Sequence, residues 1–213
     1  MSVLKKELHQ VVIALIPFLY LGIIYNTLPP QVPVHLNIQG EIDRFGSKSE
    51  LILIAIFPLL AYLIFIIVPK KKIEAMGKKY QKLKTLLILL MTLLAVYILY
   101  SIKNLTFSNP NFIIIAIGIL YTLFGNYSKT IKSNYFIGIR TPWTLKNETV
   151  WKNTHILGGK LWFVGGIIII ISSLVVNKAY NIYLFLVITA IITLIPVIYS
   201  YIQFKKLNKV TES

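Results

Sequence analysis

The chain has 213 residues, 56% of them hydrophobic and only 14% charged, with a mean hydropathy of +0.74; soluble globular domains carry about a quarter charged residues, so this composition is that of a membrane protein. Its net charge of +15 comes from 22 Lys and Arg against 7 Asp and Glu, but the basic residues bracket apolar runs, so they read as topology signals and no direct nucleic acid binding is expected. Cysteine is absent, which excludes disulfides, thiolate catalysis and Cys-ligated metals.

Six runs free of Asp, Glu, Lys and Arg follow in order, roughly residues 8–28, 51–68, 85–102, 112–128, 161–176 and 182–204. At 1.5 Å per residue each approaches or exceeds the length needed to cross about 30 Å of hydrocarbon. No ten-residue alternation of barrel strands appears, and backbone groups in lipid must be satisfied internally, so the spans are expected to be helices. The first run has a two-lysine lead like a secretion signal. Tyr20, Tyr25 and the Pro29–Pro30 pair then replace a small-residue cleavage pattern, so it is read as a retained span. Pro17, Pro58 and Pro196 fall inside three runs as tolerated kinks.

Eighteen of the 22 Lys and Arg lie at the two ends and in the segments 70–84 and 127–160, leaving four in the alternate loops. That bias places both termini in the cytoplasm of a multi-pass cell-membrane protein. The expected fold is all-α and polytopic, with six transmembrane helices and an amphipathic cytoplasmic helix before the fifth span. Three stretches organise it: a two-helix hairpin with an external loop over 1–69, a basic cytoplasmic loop with the third span over 70–110, and the remaining spans over 111–213.

The chemistry-bearing signatures are few. Asn104, Asn126 and Asn147 match the glycosylation pattern, but two of them fall on or near the cytoplasmic face. His9, His35 and His155 lack a second ligand at metal spacing, although His35 shares a loop with Glu41 and Asp43, so neither a metal site nor a cofactor is expected. No phosphate loop, nucleophile elbow or base set appears, and the chain is not expected to be an enzyme. All seven acids lie outside the apolar runs, which argues against a proton-coupled transporter.

Two loops are too particular to be simple connectors. In "LPPQVPVHLNIQGEIDRFGSKSE", Pro29, Pro30 and Pro33 stiffen an extended exit from the first span, and Gly40 and Gly46 permit turns around Glu41 and Asp43. The expectation is an external recognition surface. In "SNYFIGIRTPWTLKNETVWKNTH", Gly138 relieves the backbone, Arg140 offers a planar five-donor head, and Thr141–Pro142 is a helix-start signature. Thr144, Asn147, Val150 or Trp151, and Thr154 then recur at helical spacing, predicting a helix over about residues 143–157. On one helix Trp143 and Trp151 would stand within about 80° of each other, as interfacial anchors flanked by Lys146 and Lys152. Gly158–Gly159 would then let the chain turn into the fifth span.

The run "NYFIGIRTPWTLKNETVW" closely resembles the signature of the SdpI family of membrane proteins. The matching residues are Asn134, Ile137, Gly138, Ile139, Arg140, Thr141, Pro142, Trp143, Thr144 and Leu145, then Val150 and Trp151. Pro33, His35, Asn37, Gly40 and Asp43 in the external loop resemble the domain of unknown function DUF1648 often fused to that family. The resemblance implies an immunity protein that also signals, engaging an extracellular peptide toxin from outside and capturing a cytosolic helix-turn-helix repressor at the inner face. External recognition would fall to His35, Asn37, Gly40 and Asp43. Cytoplasmic docking would fall to Asn134, Gly138, Arg140, Thr141, Pro142, Trp143, Val150 and Trp151. The rival readings are a small transporter or channel, an enzyme acting on lipid headgroups, and a structural membrane subunit without a toxin partner.

Overall fold

The computed structural model describes residues 3–37, 41–67, 70–106, 111–135 and 137–211. Seven α-helices and one short two-stranded sheet are found there: α1 (Val3–Ile24), β1 (Gln31–Leu36), β2 (Ile42–Ser47), α2 (Leu51–Ile67), α3 (Lys70–Asn104), α4 (Asn111–Ser128), α5 (Pro142–Lys146), α6 (Glu148–Val175) and α7 (Lys178–Thr211). Six of the helices, all but α5, are long and apolar enough to cross a membrane. The chain divides into two compact units, Met1–Ile113 and Ile114–Ser213, with the boundary inside α4.

In the first unit α1, α2 and α3 pack against one another. At one end Leu21, Ile24, Val32, Leu51, Ala55, Leu99 and Ile102 form a buried cluster that joins the three helices to β1. Farther along, Ala14, Tyr62 and Ile88 form a second cluster. Lipid tails are as apolar as leucine, so polar bonds and close packing add specificity to such a bundle. Thr92 Oγ1 donates to the Ile13 carbonyl at 3.1 Å, Gln10 Nε2 to Thr85 Oγ1 at 2.8 Å, and the Tyr80 hydroxyl to the Phe65 carbonyl at 2.7 Å.

The expectation that every acid lies outside the spans is corrected here. Glu7 Oε2 accepts from Lys84 Nζ at 2.8 Å and from the Tyr62 hydroxyl at 2.9 Å, and the Lys84 side chain is only 3% exposed. The apolar stretches of α1 and α3 begin at Glu7 and Tyr80, so this pair sits within about a turn of their ends and not at the midplane. The basic segment 70–84 is likewise not a loop: it forms the opening turns of the 35-residue α3.

The second unit is held by missing side chains. A Cβ on Gly159 would come within 2.8 Å of the Gly125 carbonyl oxygen, and one on Gly166 within 2.5 Å of the Gly118 carbonyl oxygen. These two contacts, seven residues apart on both helices, let the α4 and α6 backbones touch, as small residues do in membrane helix pairs. Between α6 and α7, the Trp162 indole donates to the Ile192 carbonyl at 2.9 Å. Near their connection, buried Asn181 bonds Ser172 and Ser173, both at 3.0 Å.

Candidate functional site

The first candidate surface is the β1–β2 hairpin that leads from α1 into α2. Its strands pair antiparallel with Gln31 opposite Ser47 and Leu36 opposite Ile42, and the register is irregular around His35. Pro33 is tolerated because both strands of a two-stranded sheet are edges. Alternation is broken by the prolines and by polar residues on both faces, so the sequence pattern read as an irregular loop, not as strands.

Side chains fasten the hairpin at both ends. Ser47 and Glu50 form a reciprocal capping box at the entry to α2. Lys48 Nζ donates to the Tyr25 carbonyl at 3.2 Å and lies 4.5 Å from the Tyr25 ring centroid. Near the tip, His35 Nδ1 and Asp43 Oδ1 are 2.6 Å apart, and Asn37 Nδ2 donates to Glu41 Oε2 at 3.1 Å while the Glu41 amide donates to Asn37 Oδ1 at 2.9 Å. His35, Asn37 and Asp43 are thus brought together as two cross-linked pairs; Gly40 lies outside the described residues.

Beneath the hairpin is a largely apolar cavity of about 300 Å³, lined by β1 residues including Val34, His35 and Leu36 and by Ile54, Tyr97 and Ser101 from α2 and α3. Ser101 is 1% exposed and its hydroxyl has no partner among the described residues. A buried hydroxyl without a bond is costly unless something else bonds it. Sequence reading missed this cavity because its lining comes from separate elements spread along the chain.

The second candidate surface is the signature loop after α4, which is folded onto the first turns of α6. Asn134 is buried and ties the loop to itself: Nδ2 donates to the Lys132 carbonyl at 2.8 Å and the Ile137 carbonyl at 3.1 Å, and Oδ1 accepts from the Ile137 amide at 2.8 Å. Gly138 has φ +120°, and a Cβ there would collide with His155 Nε2 and approach the Trp151 ring within 3.2 Å. The Ile139 amide donates to His155 Nε2 at 3.0 Å, and His155 Nδ1 donates to the Trp151 carbonyl at 2.8 Å. This donor set requires the neutral imidazole with its proton on Nδ1. Trp151 stacks on His155 with centroids 4.1 Å apart, and its indole donates to the Ile131 carbonyl at 2.7 Å.

Thr141 caps α5 as the sequence predicts. Thr144 N donates to its hydroxyl at 3.2 Å, Pro142 takes the first helical position, and Thr141 Oγ1 lies 3.2 Å from Ser200 Oγ on α7. The single helix expected over 143–157 is corrected, because Asn147 adopts an extended conformation (φ −143°, ψ 119°) and caps α6 through the Thr149 and Val150 amides. Gly158–Gly159 makes no turn; both glycines lie inside α6, where Gly159 faces Gly125 and Gly158 faces Ile139 and Pro196.

With the helix divided, Trp143 and Trp151 do not form a shared anchor. Trp151 is 2% exposed, whereas Trp143 rests on Tyr201 of α7 with centroids 5.0 Å apart. Of the eight docking residues singled out by sequence, Asn134, Thr141, Val150 and Trp151 are buried. Gly138, Arg140 and Pro142 are exposed, and Trp143 is half-buried. One Arg140 nitrogen donates to the Tyr135 carbonyl at 2.7 Å, and beside it Tyr135 is 70% exposed. His155 is the residue that sequence reading treated only as an unmatched metal ligand. Its position four residues after Trp151, on the same helix face, was the available signal.

These features define a multi-pass membrane protein of helical spans, with a β-hairpin on one unit and a buttressed loop on the other. Residues 130–200 match the SdpI/YfhL protein family, and residues 12–61 match a domain of unknown function, DUF1648. The immunity protein SdpI of Bacillus subtilis (strain 168) is 31% identical over 213 residues, covering 96% of this chain and 99% of its own length. An uncharacterized protein of Archaeoglobus fulgidus is 43% identical over 62 residues, 29% of this chain and 33% of its own length. No solved structure matches. The chain belongs to the SdpI/YfhL family.

Proposed function

We propose that the chain is a membrane immunity protein that binds an extracellular peptide toxin at the hairpin and captures a cytosolic helix-turn-helix repressor at the signature loop. The observation that carries this reading is the 31% identity to immunity protein SdpI across nearly the whole of both chains. In this arrangement the hairpin is external, and both termini and the segments 70–84 and 127–160 lie toward the cytoplasm, in keeping with eighteen basic residues on that side against four. His35, Asn37 and Asp43 form the rim that meets a cationic or amphipathic peptide, with Gly40 of the same segment taking part in recognition, and the cavity containing Ser101 receives one of its apolar side chains. Inside, Asn134, Gly138, Thr141, Val150 and Trp151 hold the loop in shape while Arg140, Pro142 and Trp143 meet the partner.

The test is survival. The chain is expressed in Bacillus subtilis lacking its own SdpI and challenged with the peptide toxin to which that protein gives immunity. Protection is expected from the wild-type chain and should be weakened by Asp43→Lys at equal membrane abundance, because a reversed rim charge alters complementarity more than stability. Undiminished killing of cells carrying the wild-type chain would refute the immunity reading; full protection by Asp43→Lys would remove the hairpin rim from it.

A further inference from the structure

A cavity of about 370 Å³ opens between α4 and α6 in the second unit. Its base is formed where Gly125 and Gly159 bring the two helix backbones together, and its walls include Lys129, Lys160, Phe163 and Val164. Both lysines are exposed, and neither forms a salt bridge with a described residue. The acids of residues 114–213 are Glu148 and Glu212. Glu148 opens α6 twelve residues before Lys160, about 18 Å away along the helix axis at 1.5 Å per residue.

The position of Lys160 makes the lack of an acidic side-chain partner among the described residues matter. Twenty residues counted back from Val175 at the end of α6, about 30 Å of helix and one hydrocarbon thickness, reach Ile156. With the slab set from Val175 in this way, Lys160 falls about one turn inside its edge, within reach of the headgroups by extending its stem toward the loop end. Lys129, just past the end of α4, approaches the same cavity from the headgroup side. Phe163 and Val164, three and four residues beyond Lys160, share its helix face one turn deeper and are 39% and 53% exposed. Two unpaired cations above an exposed apolar strip match an anionic group joined to a hydrocarbon tail.

We propose that this cavity binds one anionic phospholipid, its phosphate held between Lys129 and Lys160 and its acyl chain laid along Phe163 and Val164. The site is independent of any toxin or repressor. It couples the α4–α6 pair, and with it the base of the signature loop, to the charge of the surrounding leaflet.

The full chain, purified in detergent and stripped of lipid, is titrated with phosphatidylglycerol, with phosphatidylcholine of the same acyl chains, and with inorganic phosphate. Bound lipid is counted by native mass spectrometry and protein stability is followed by thermal melting. One phosphatidylglycerol is expected to bind about thirty-fold more tightly than phosphatidylcholine, the effect of two lysines beside an anionic headgroup. The double variant Lys129→Gln/Lys160→Gln should lose that preference, Lys129→Arg/Lys160→Arg should keep it, and Lys146→Gln/Lys152→Gln, which removes the same charge elsewhere, should also keep it. Equal affinity of the wild-type chain for the two lipids would overturn the proposal, as would equal loss in the Lys146/Lys152 control. Displacement of the lipid by millimolar inorganic phosphate would overturn the lipid assignment in favour of a simple anion site.

Discussion

Gly138→Ala tests whether the signature loop is held by the His155–Trp151 pair or merely lies against it. Two costs arise at once. The backbone at φ +120° is one that residues with a Cβ rarely adopt, a strain of about 1–3 kcal/mol. The new methyl would also collide with His155 Nε2, the acceptor of the Ile139 amide. Displacing the ring leaves a buried acceptor or donor unpaired, for about a further 1–3 kcal/mol. Together these come to about 2–6 kcal/mol, and even the lower figure raises the population of opened loop about thirty-fold. The assay is limited proteolysis of the loop 129–147 in membranes oriented to expose it, with full-length protein followed over time. Faster cleavage is expected at unchanged abundance, because α6 and the other spans do not depend on Gly138. Cleavage at the wild-type rate would refute the idea that the loop is locked through His155, since the methyl would then have been accommodated without opening it.

Arg140→Lys is expected to leave abundance intact but to weaken capture of a cytosolic partner by about 1.5–3 kcal/mol, the range for hydrogen bonds to charged groups that an ammonium cannot reproduce in planar geometry; membrane co-sedimentation at matched protein levels measures it, and equal capture would reduce Arg140 to an interfacial anchor. Glu7→Ala should destabilise the first unit by on the order of 3 kcal/mol, because it strands the buried Lys84 ammonium, whereas Glu7→Gln combined with Lys84→Met should recover most of the loss in thermal melting. If the double variant is no better than Glu7→Ala, the stranded charge is not the cause. Topology reporters placed after Gly46 and after Lys78 should report the outside and the inside respectively, and the opposite pattern would reverse the orientation inferred from the basic residues.

The helical spans were legible in the chain because lipid imposes a one-dimensional rule: a run of about twenty residues without charge must satisfy its own backbone, and only a helix does so segment by segment. Local chemistry was equally readable at Thr141–Pro142, where a hydroxyl and a ring with fixed φ start α5 as expected. The family signature lay in the same contiguous stretch. What remained hidden depended on residues distant in sequence. Asn147 splits the anticipated helix because its side chain caps α6, an outcome that periodicity alone did not separate from a continuous helix. Trp151 reads as an interfacial anchor until His155 and Ile131 enclose it, and Gly158–Gly159 reads as a turn until Gly125 and Pro196 are seen packed against it. Lys84 and Glu7, 77 positions apart, each looked like a residue just beyond a span; their 2.8 Å contact shows that a charge can enter the edge of the apolar region when another helix supplies its partner. Hydropathy is a property of segments and decided how many helices cross, whereas burial, capping and pairing are properties of neighbours and were decided only when the helices packed.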